Sequence, residues 1–265
     1  LSLGFASERM LAALEGAVVE RDGYAALTWP ALPTAFEANM LVFDRPPEPG
    51  DVVRWEALFR RAMVFLPEVR HVAFGWEGGP ATAEVAAALE RQGYALSALA
   101  VRVADRALAG TAAPVGVAVR PLEGRAEWAA AADLHLALDS PAAEVDGYAE
   151  FVEARMARCA ALCAAGAGQW LGAFAGARLV GSLGVMTDRA HSGLGRVQLV
   201  VTHAAFRRRG VASHLLTAAD ARARDHLGVQ RLVICAEPGS PADRLYARLG
   251  FAEAPPMHRA IRPGG

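Results

Sequence analysis

Between residues 197 and 219 a β-rich run, VQLVVT, gives way to His203-Ala204-Ala205-Phe206 and then to Arg207-Arg208-Arg209-Gly210-Val211-Ala212. From there the apolar positions Val211, Ala212, Leu215, Leu216 and Ala219 fall at helical spacing. The first turn of a helix holds backbone N–H groups without an internal partner, and the helix dipole adds partial positive charge there. Gly210 allows close approach to the backbone, and three guanidinium groups add full charge. The chemistry that suits this junction is binding of a pyrophosphate. Arginines that merely solvate an ordinary helix start are the simpler alternative on this stretch alone.

A second cluster lies downstream, in Asp243-Arg244-Leu245-Tyr246-Ala247-Arg248-Leu249-Gly250-Phe251. Tyr246 shares a helical face with Ala242 and Leu249, which predicts partial burial. Ser240-Pro241 ahead of it reads as a helix start, with Ser at the N-cap, Pro at N1 and Asp243 at N3. Cys159 and Cys163 stand four apart in an Ala-rich helical stretch, but nothing nearby completes four metal ligands, so two helix thiols are expected. No metal is expected.

The rest of the chain supplies the elements that hold these groups. Its 265 residues are 54% hydrophobic, enough for one or two packed domains. The formal net charge of −1 excludes a global basic field of the kind nucleic acid attracts. Every Lys/Arg-class cation is Arg, so Arg abundance by itself says little about ligands. Three cysteines make no disulfide framework and fit a reducing cytoplasm. No apolar run has the length of a membrane span, and Leu1 to Tyr24 lacks the pattern of a signal peptide. Leu in first place points to a trimmed start.

In the first half the spacing predicts a helix over 6–20, strands over 23–29 and 35–43, and a Pro-rich turn over 44–51. A helix over 52–64, a strand over 71–76, a helix over 82–92 and a strand over 96–103 follow. Residues 105–115 read as an interdomain linker. In the second half a strand at 117–120 precedes helices over 125–138 and 148–165. A hairpin of 170–174 with 178–186 leads to the strand and helix described first, then a strand over 231–236 and the Tyr246 helix.

That order resembles the GNAT acyltransferase superfamily. The signature Arg207-x-x-Gly210-x-Ala212 is similar to its pyrophosphate loop, and Leu245-Tyr246 with Gly250-Phe251 is similar to its ending. The resemblance covers residues 115–262. The first half echoes the second at a near-constant offset: Leu41-Val42 matches Leu199-Val200, His71 to Trp76 matches the strand at Arg231, and Gly93-Tyr94 matches Gly250-Phe251. The expected architecture is therefore a tandem GNAT-like α/β (α+β) fold. Its mostly antiparallel mixed sheet contains a splayed parallel strand pair and is flanked by helices. Residues 1–104 form a degenerate, truncated GNAT-like domain lacking its first strand and helix, 105–115 a linker, and 116–265 the acyl-CoA-binding catalytic domain. In place of the arginines the first copy has Arg45-Pro46-Pro47-Glu48-Pro49-Gly50-Asp51. Prolines donate no N–H and the carboxylates repel phosphate, so no cofactor is expected there.

The resemblance implies acetyl-CoA, or another acyl-CoA, as co-substrate. Backbone of Val200, Val201 and Thr202 would pair with pantetheine, and Arg207, Arg208, Arg209, Gly210, Val211, Ala212 and Ser213 would surround the pyrophosphate. Tyr246 would be the general acid toward the leaving thiolate. Val201 stands where relatives often carry a glutamate, which leaves Glu237, His203 and Gln198 as candidate bases. The family's usual Asn ahead of the Tyr helix falls on Gly239. The implied activity is transfer of acetyl to a primary amine by direct attack in a ternary complex; a non-catalytic acyl-CoA-binding or regulatory protein is the alternative. The acceptor is a small-molecule amine or a peptide amine. No nucleic acid or membrane partner is expected, and a homodimer stays open. Acidic residues at 139–153 (Asp139, Glu144, Asp146, Glu150, Glu153) fall where acceptor loops of the family lie and could attract a cationic amine; a solvated helix start is the simpler account.

Overall fold

A computed structural model describes residues 1–138, 147–188 and 193–264. The acidic positions Asp139, Glu144 and Asp146 lie outside the described residues. The chain forms two compact units. One comprises Leu1–Arg102, Cys235–Arg244 and Glu253–Gly265; the other comprises Val103–Ile234 and Leu245–Ala252.

The first unit opens with α1 (Leu3–Glu15), β1 (Ala17–Arg21), β2 (Tyr24–Thr28) and β3 (Met40–Phe43). Next come α2 (Asp51–Ala62), β4 (Val72–Trp76), α3 (Ala83–Arg91) and β5 (Ala95–Ala104). The expected helix over 6–20 is corrected. It stops at Glu15, and Val18 and Val19 enter a strand that pairs Ala17↔Thr28 to Arg21↔Tyr24. β-branched residues lose less conformational freedom in a strand than in a helix. A Cβ at Gly16 would collide with the Thr28 carbonyl, so the tight joint between α1 and β1 requires glycine. The strand expected over 35–43 is confined to Met40–Phe43. The preceding turns are pinned by Asn39, which is fully buried: its Oδ1 accepts from Trp29 N–H at 2.8 Å, and its Nδ2 donates to the carbonyls of Leu32 and Ala35. The core is aromatic, with Phe43 stacked on Trp55 at 3.6 Å and Phe74 edge-on to both. The last strand of the chain, β11 (Ala252–Arg262), lies antiparallel to β4 through His258↔Trp76 to Arg262↔Val72. The strand order here is β1-β2-β3-β4-β11-β5.

The second unit contains β6 (Val117–Pro121), α4 (Gly124–Leu136), α5 (Tyr148–Ala164), β7 (Gly168–Ala175), β8 (Arg178–Thr187) and β9 (Leu194–Thr202). They are followed by α6 (Val211–Leu227), β10 (Arg231–Ala236) and α7 (Pro241–Arg248). Its strand order is β10-β9-β8-β7-β6, antiparallel except for the parallel pair β9–β10. Opposite faces of the sheet carry different helices. A Cβ at Gly181 would touch Val211 and Leu215 of α6, whereas one at Gly184 would run into the Trp170 ring, which packs 5.5 Å from Trp128 of α4. The order α1-β1-β2-β3-α2-β4-α3-β5 recurs as α5-β7-β8-β9-α6-β10-α7-β11. The same antiparallel and parallel pairings recur with it, β3–β4 matching β9–β10. The counterparts of β6 and α4 have no equivalent in the first copy.

Residues 105–115, read above as a linker, are laid along α6. Arg224 donates to the carbonyls of Ala104 and Arg106, Leu108 N–H donates to Asp220 at 2.7 Å, and Thr111 meets Thr217 at 3.1 Å. Positions 224, 220 and 217 lie on one side of the helix. No described helix is long and apolar enough to cross a membrane.

Candidate active site

The parallel ladder between β9 and β10 is short. It runs through Arg231↔Leu194, Leu232↔Gly195 and Val233↔Arg196, and stops there. From Val197 onward the edge of β9 that faces away from β8 has left β10. A bulge accompanies the parting. Leu199 has φ +50°, and the register against β8 shifts between Ser182 and Gly184. A leucine in the left-handed region is costly, and such strain persists only where surrounding structure imposes it. Here β8 imposes it, pairing Gly184↔Gln198 on one side and Ser182↔Val201 on the other. An added residue in one strand twists it away from its neighbour, which leaves a gap between parallel strands and exposes backbone groups on β9.

A helix start lies just beyond that strand. Gly210 is the N-cap of α6, at φ +82° and ψ −2°, and no side chain caps the helix. The helix carries no acidic residue in its first turn. The first ladder donor is His214 N–H, bonded to the Gly210 carbonyl at 3.0 Å, so the amides of Val211, Ala212 and Ser213 point out of the helix end. Arg208 is also left-handed, at φ +59°. Left-handed residues alternating with right-handed ones curl successive N–H groups into a concavity that fits an anion. A Cβ at Gly210 would meet only Pro114, at an ordinary 3.8 Å.

The three arginines differ. Arg207 Nε donates to the Thr202 carbonyl at 3.2 Å, and Arg209 lies over the Phe206 ring at 5.4 Å. Arg208 is exposed, and its side chain makes no bond among the described residues. All three are exposed, and no carboxylate pairs with any of them among the described residues. His203 caps the short 3₁₀ turn Ala204–Phe206: its Nδ1 faces Ala205 N–H at 3.2 Å, and its Nε2 faces an Arg178 Nη2 at 2.7 Å. Both neighbours are donors, so the lone pair a base needs is already engaged. Glu237 is exposed, and its carbonyl accepts from Ser240 N–H at 3.1 Å.

Tyr246 is buried on α7, its ring 6.1 Å from that of Phe251. The start of α7 follows the expected chemistry. Ser240 Oγ accepts from Asp243 N–H at 3.1 Å, and Asp243 accepts from Gly239 N–H at 2.9 Å and from Arg102 at 2.7 Å. The Arg102 hydrogen bond holds the Asp243 carboxyl below the usual carboxylate range. Cys159 is buried and Cys163 half-buried, and burial pushes the Cys163 thiol up to about 12, which keeps it protonated and inert.

On the sheet face covered by α4 and α5 lie groups that no motif singles out. His135 of α4 is buried, and its Nε2 has no hydrogen-bond partner among the described residues. Burial, followed by the charge of Arg155, pulls its pKa down to about 4. Arg155 of α5 reaches Gln198 of the parted stretch of β9 at 3.4 Å. Ser182, fully buried opposite Val201, likewise leaves its Oγ without a partner.

A mixed sheet parted at its one parallel pair, with an uncapped glycine-headed helix after the parted strand, is the GNAT class of acyltransferase fold. Residues 132–251 match the model of the acetyltransferase (GNAT) family. Among solved structures it is similar to a functionally unknown conserved protein from Staphylococcus epidermidis, with a TM-score of 0.76 at 12% identity over 95% of this chain and 96% of that one. A GCN5-related N-acetyltransferase from Kribbella flavida aligns with a TM-score of 0.68 at 18% identity, over 100% and 96% of the two chains. A tandem GNAT protein from the clavulanic acid biosynthesis pathway aligns with a TM-score of 0.54 at 17% identity, over 85% and 75%. At these identities the likeness is one of fold. No curated protein matches the chain.

Proposed function

We propose that this protein is an N-acetyltransferase that moves an acetyl group from acetyl-CoA to a primary amine by direct attack in a ternary complex. The observation that carries the reading is the coincidence of two features in one unit: β9 leaves β10 after Arg196, and the next helix opens on uncapped amides behind Gly210. The open edge of β9 at Val200 and Val201 suits an extended amide-bearing arm added like a strand. The amides of Gly210 to Ser213, with the Arg208 guanidinium, suit a pyrophosphate.

Bound acetyl-CoA supplies an activated acyl group and a thiolate leaving group. The neutral amine attacks the carbonyl carbon; the C–N bond forms, the C–S bond breaks, and the amine's surplus proton passes to water. Tyr246 donates its phenolic proton to the departing sulfur and is reprotonated from solvent. Its burial suits the role, since a hydrogen bond to a developing thiolate is stronger away from water.

The test is amine-dependent release of CoA thiol from acetyl-CoA. Tyr246→Phe is expected to lower kcat about a hundredfold, the lower end of what a positioned acid contributes. Undiminished turnover in that variant would remove Tyr246 from the mechanism. CoA binding without turnover on any amine would instead establish the acyl-CoA-binding alternative, which the apolar Val201 favours.

A further inference from the structure

On the transferase reading, the acceptor must approach the parted stretch of β9 from the face opposite α6. The side chains there are unusual for a site that receives a cationic amine. Gly181 directs toward α6, so Ser182 and the paired Val201 face α4 and α5, as does Gln198 opposite Gly184. Arg155 reaches Gln198 at 3.4 Å, a long contact, lies 5.9 Å from the Phe151 ring, and is close enough to His135 for its charge to act there. No carboxylate pairs with Arg155 among the described residues. Elsewhere in the molecule half-buried arginines do have partners: Arg102 holds Asp243, Arg224 holds Asp220 and Arg262 holds Glu56. Three further polar atoms on this face, His135 Nε2, Ser182 Oγ and Trp170 Nε1, are buried and unsatisfied among the described residues. Buried polar atoms are almost always paired, so unsatisfied ones on the face that Arg155 reaches, with no carboxylate against that guanidinium among the described residues, point to a group from outside the chain.

We infer that this cluster recognises a carboxylate on the acceptor, with Arg155 as its counter-charge and His135 and Ser182 as neutral hydrogen-bonding partners, so that the amine acetylated is that of an amino acid. The inference rests on the transferase reading for its chemistry and on the side chains of α4, α5, β8 and β9 for its specificity. A guanidinium pairs with a carboxylate through two parallel hydrogen bonds, which fixes the acceptor's orientation as well as holding it. His135 is held neutral, so it satisfies a carboxylate or its neighbouring amine without adding charge. The amine would then lie beyond the carboxylate, toward the gap between β9 and β10. Glu153 lies two positions from Arg155 on the same helix, a spacing at which the two side chains do not face each other.

The experiment compares glycine, alanine and phenylalanine with their primary amides, using the full chain saturated with CoA for calorimetric binding and acetyl-CoA for kcat/KM. The acids are expected to exceed the amides at least tenfold in both measurements. Arg155→Gln is expected to bring each acid down to the level of its amide, and Arg155→Lys to keep part of the preference. Equal binding of acids and amides by the unaltered protein, or an equal loss of both in Arg155→Gln, would overturn the inference. The transferase reading fails separately: if acids bind preferentially but none is acetylated, the carboxylate site stands and the enzyme assignment falls. Acetylation of amides and acids alike leaves the enzyme and removes the site.

Discussion

The two copies of the repeat contain the same joint in two chemical states. In each, a strand in a parallel pair leads to a left-handed glycine that starts a helix: Gly50 at φ +90° before α2, and Gly210 at φ +82° before α6. Neither helix has a side-chain N-cap. In the first copy the chain fills the joint itself. Asp51 is buried in the first turn, accepts from Glu48 N–H at 2.9 Å and pairs with Arg45 at 2.7 Å. Burial alone would raise the Asp51 pKa, but the Arg45 and Glu48 hydrogen bonds outweigh it and hold the group below its ordinary value. Pro46, Pro47 and Pro49 remove further donors. In the second copy no acid stands in the first turn, and the amides face outward beside Arg208. On the proposed reading, one backbone device becomes scaffold or anion site according to whether the sequence supplies its own carboxylate.

Placing that carboxylate in the open copy is the strongest way to break the contrast. Gly210→Asp has room for its side chain, and two unit charges 5 Å apart repel by about 3 kcal/mol at an effective dielectric of 20. Affinity for CoA, read by calorimetry, is expected to fall more than tenfold. Gly210→Ala, which carries only the cost of a left-handed non-glycine residue, about 1–2 kcal/mol, should show a smaller loss.

Acid titration sharpens the comparison through histidine. His71 in the first copy is buried with a partner, facing the Asn39 carbonyl at 2.9 Å, whereas His135 in the second has none. A histidine whose folded pKa is depressed gives stability that is full above the unfolded value, near 6.5, and is lost as pH falls toward the folded value, here about 4. Across that window His135 is expected to lower unfolding free energy by up to about 1.4 kcal/mol per pH unit. His135→Gln should flatten its share of the slope in denaturant titrations at several pH values, leaving the His71 share. A slope unchanged by the substitution would show that His135 is not held neutral.

The smallest expected effect comes from emptying the closed copy. Asp51→Ala removes charge-assisted hydrogen bonds to a half-exposed arginine and a backbone amide, and is expected to cost about 1–2 kcal/mol of stability. CoA affinity should stay unchanged. In the unaltered protein the Asp51 share of stability is present above pH 3.8 and disappears as pH falls through the lower folded value.

Much of the element order was legible. The apolar spacing from Val211 to Ala219, the Ser240-Pro241 start and the run at 231–236 all form the elements their periodicity predicts. The two misread stretches have local causes. Helical spacing from Met10 through Val18 carried the expected helix past Gly16, although Gly16-Ala17-Val18-Val19 was a usable stop signal. Residues 35–39 read as strand because nothing local reveals that Asn39 is buried and folds three turns around its amide. Of the candidate site, the arginine-glycine junction and Tyr246 are proposed from their residue types, because a helix start and a phenol have intrinsic chemistry. His135, Arg155 and Ser182 are not. Each looks ordinary alone, and its meaning lies in the partner it lacks.

By itself, then, the sequence determined the repeat, the order of helices and strands, and which copy has outward amides rather than its own carboxylate. These follow from side-chain type and short-range spacing, which act through local backbone preference and charge. Only the tertiary structure decided that β9 parts from β10 after Arg196, that Leu199 is forced into a left-handed bulge, and that β11 pairs with β4. It also decided that a guanidinium and several unsatisfied polar atoms share one face of the sheet. Those are consequences of register between strands far apart in the chain, and register is settled by which faces must be buried together.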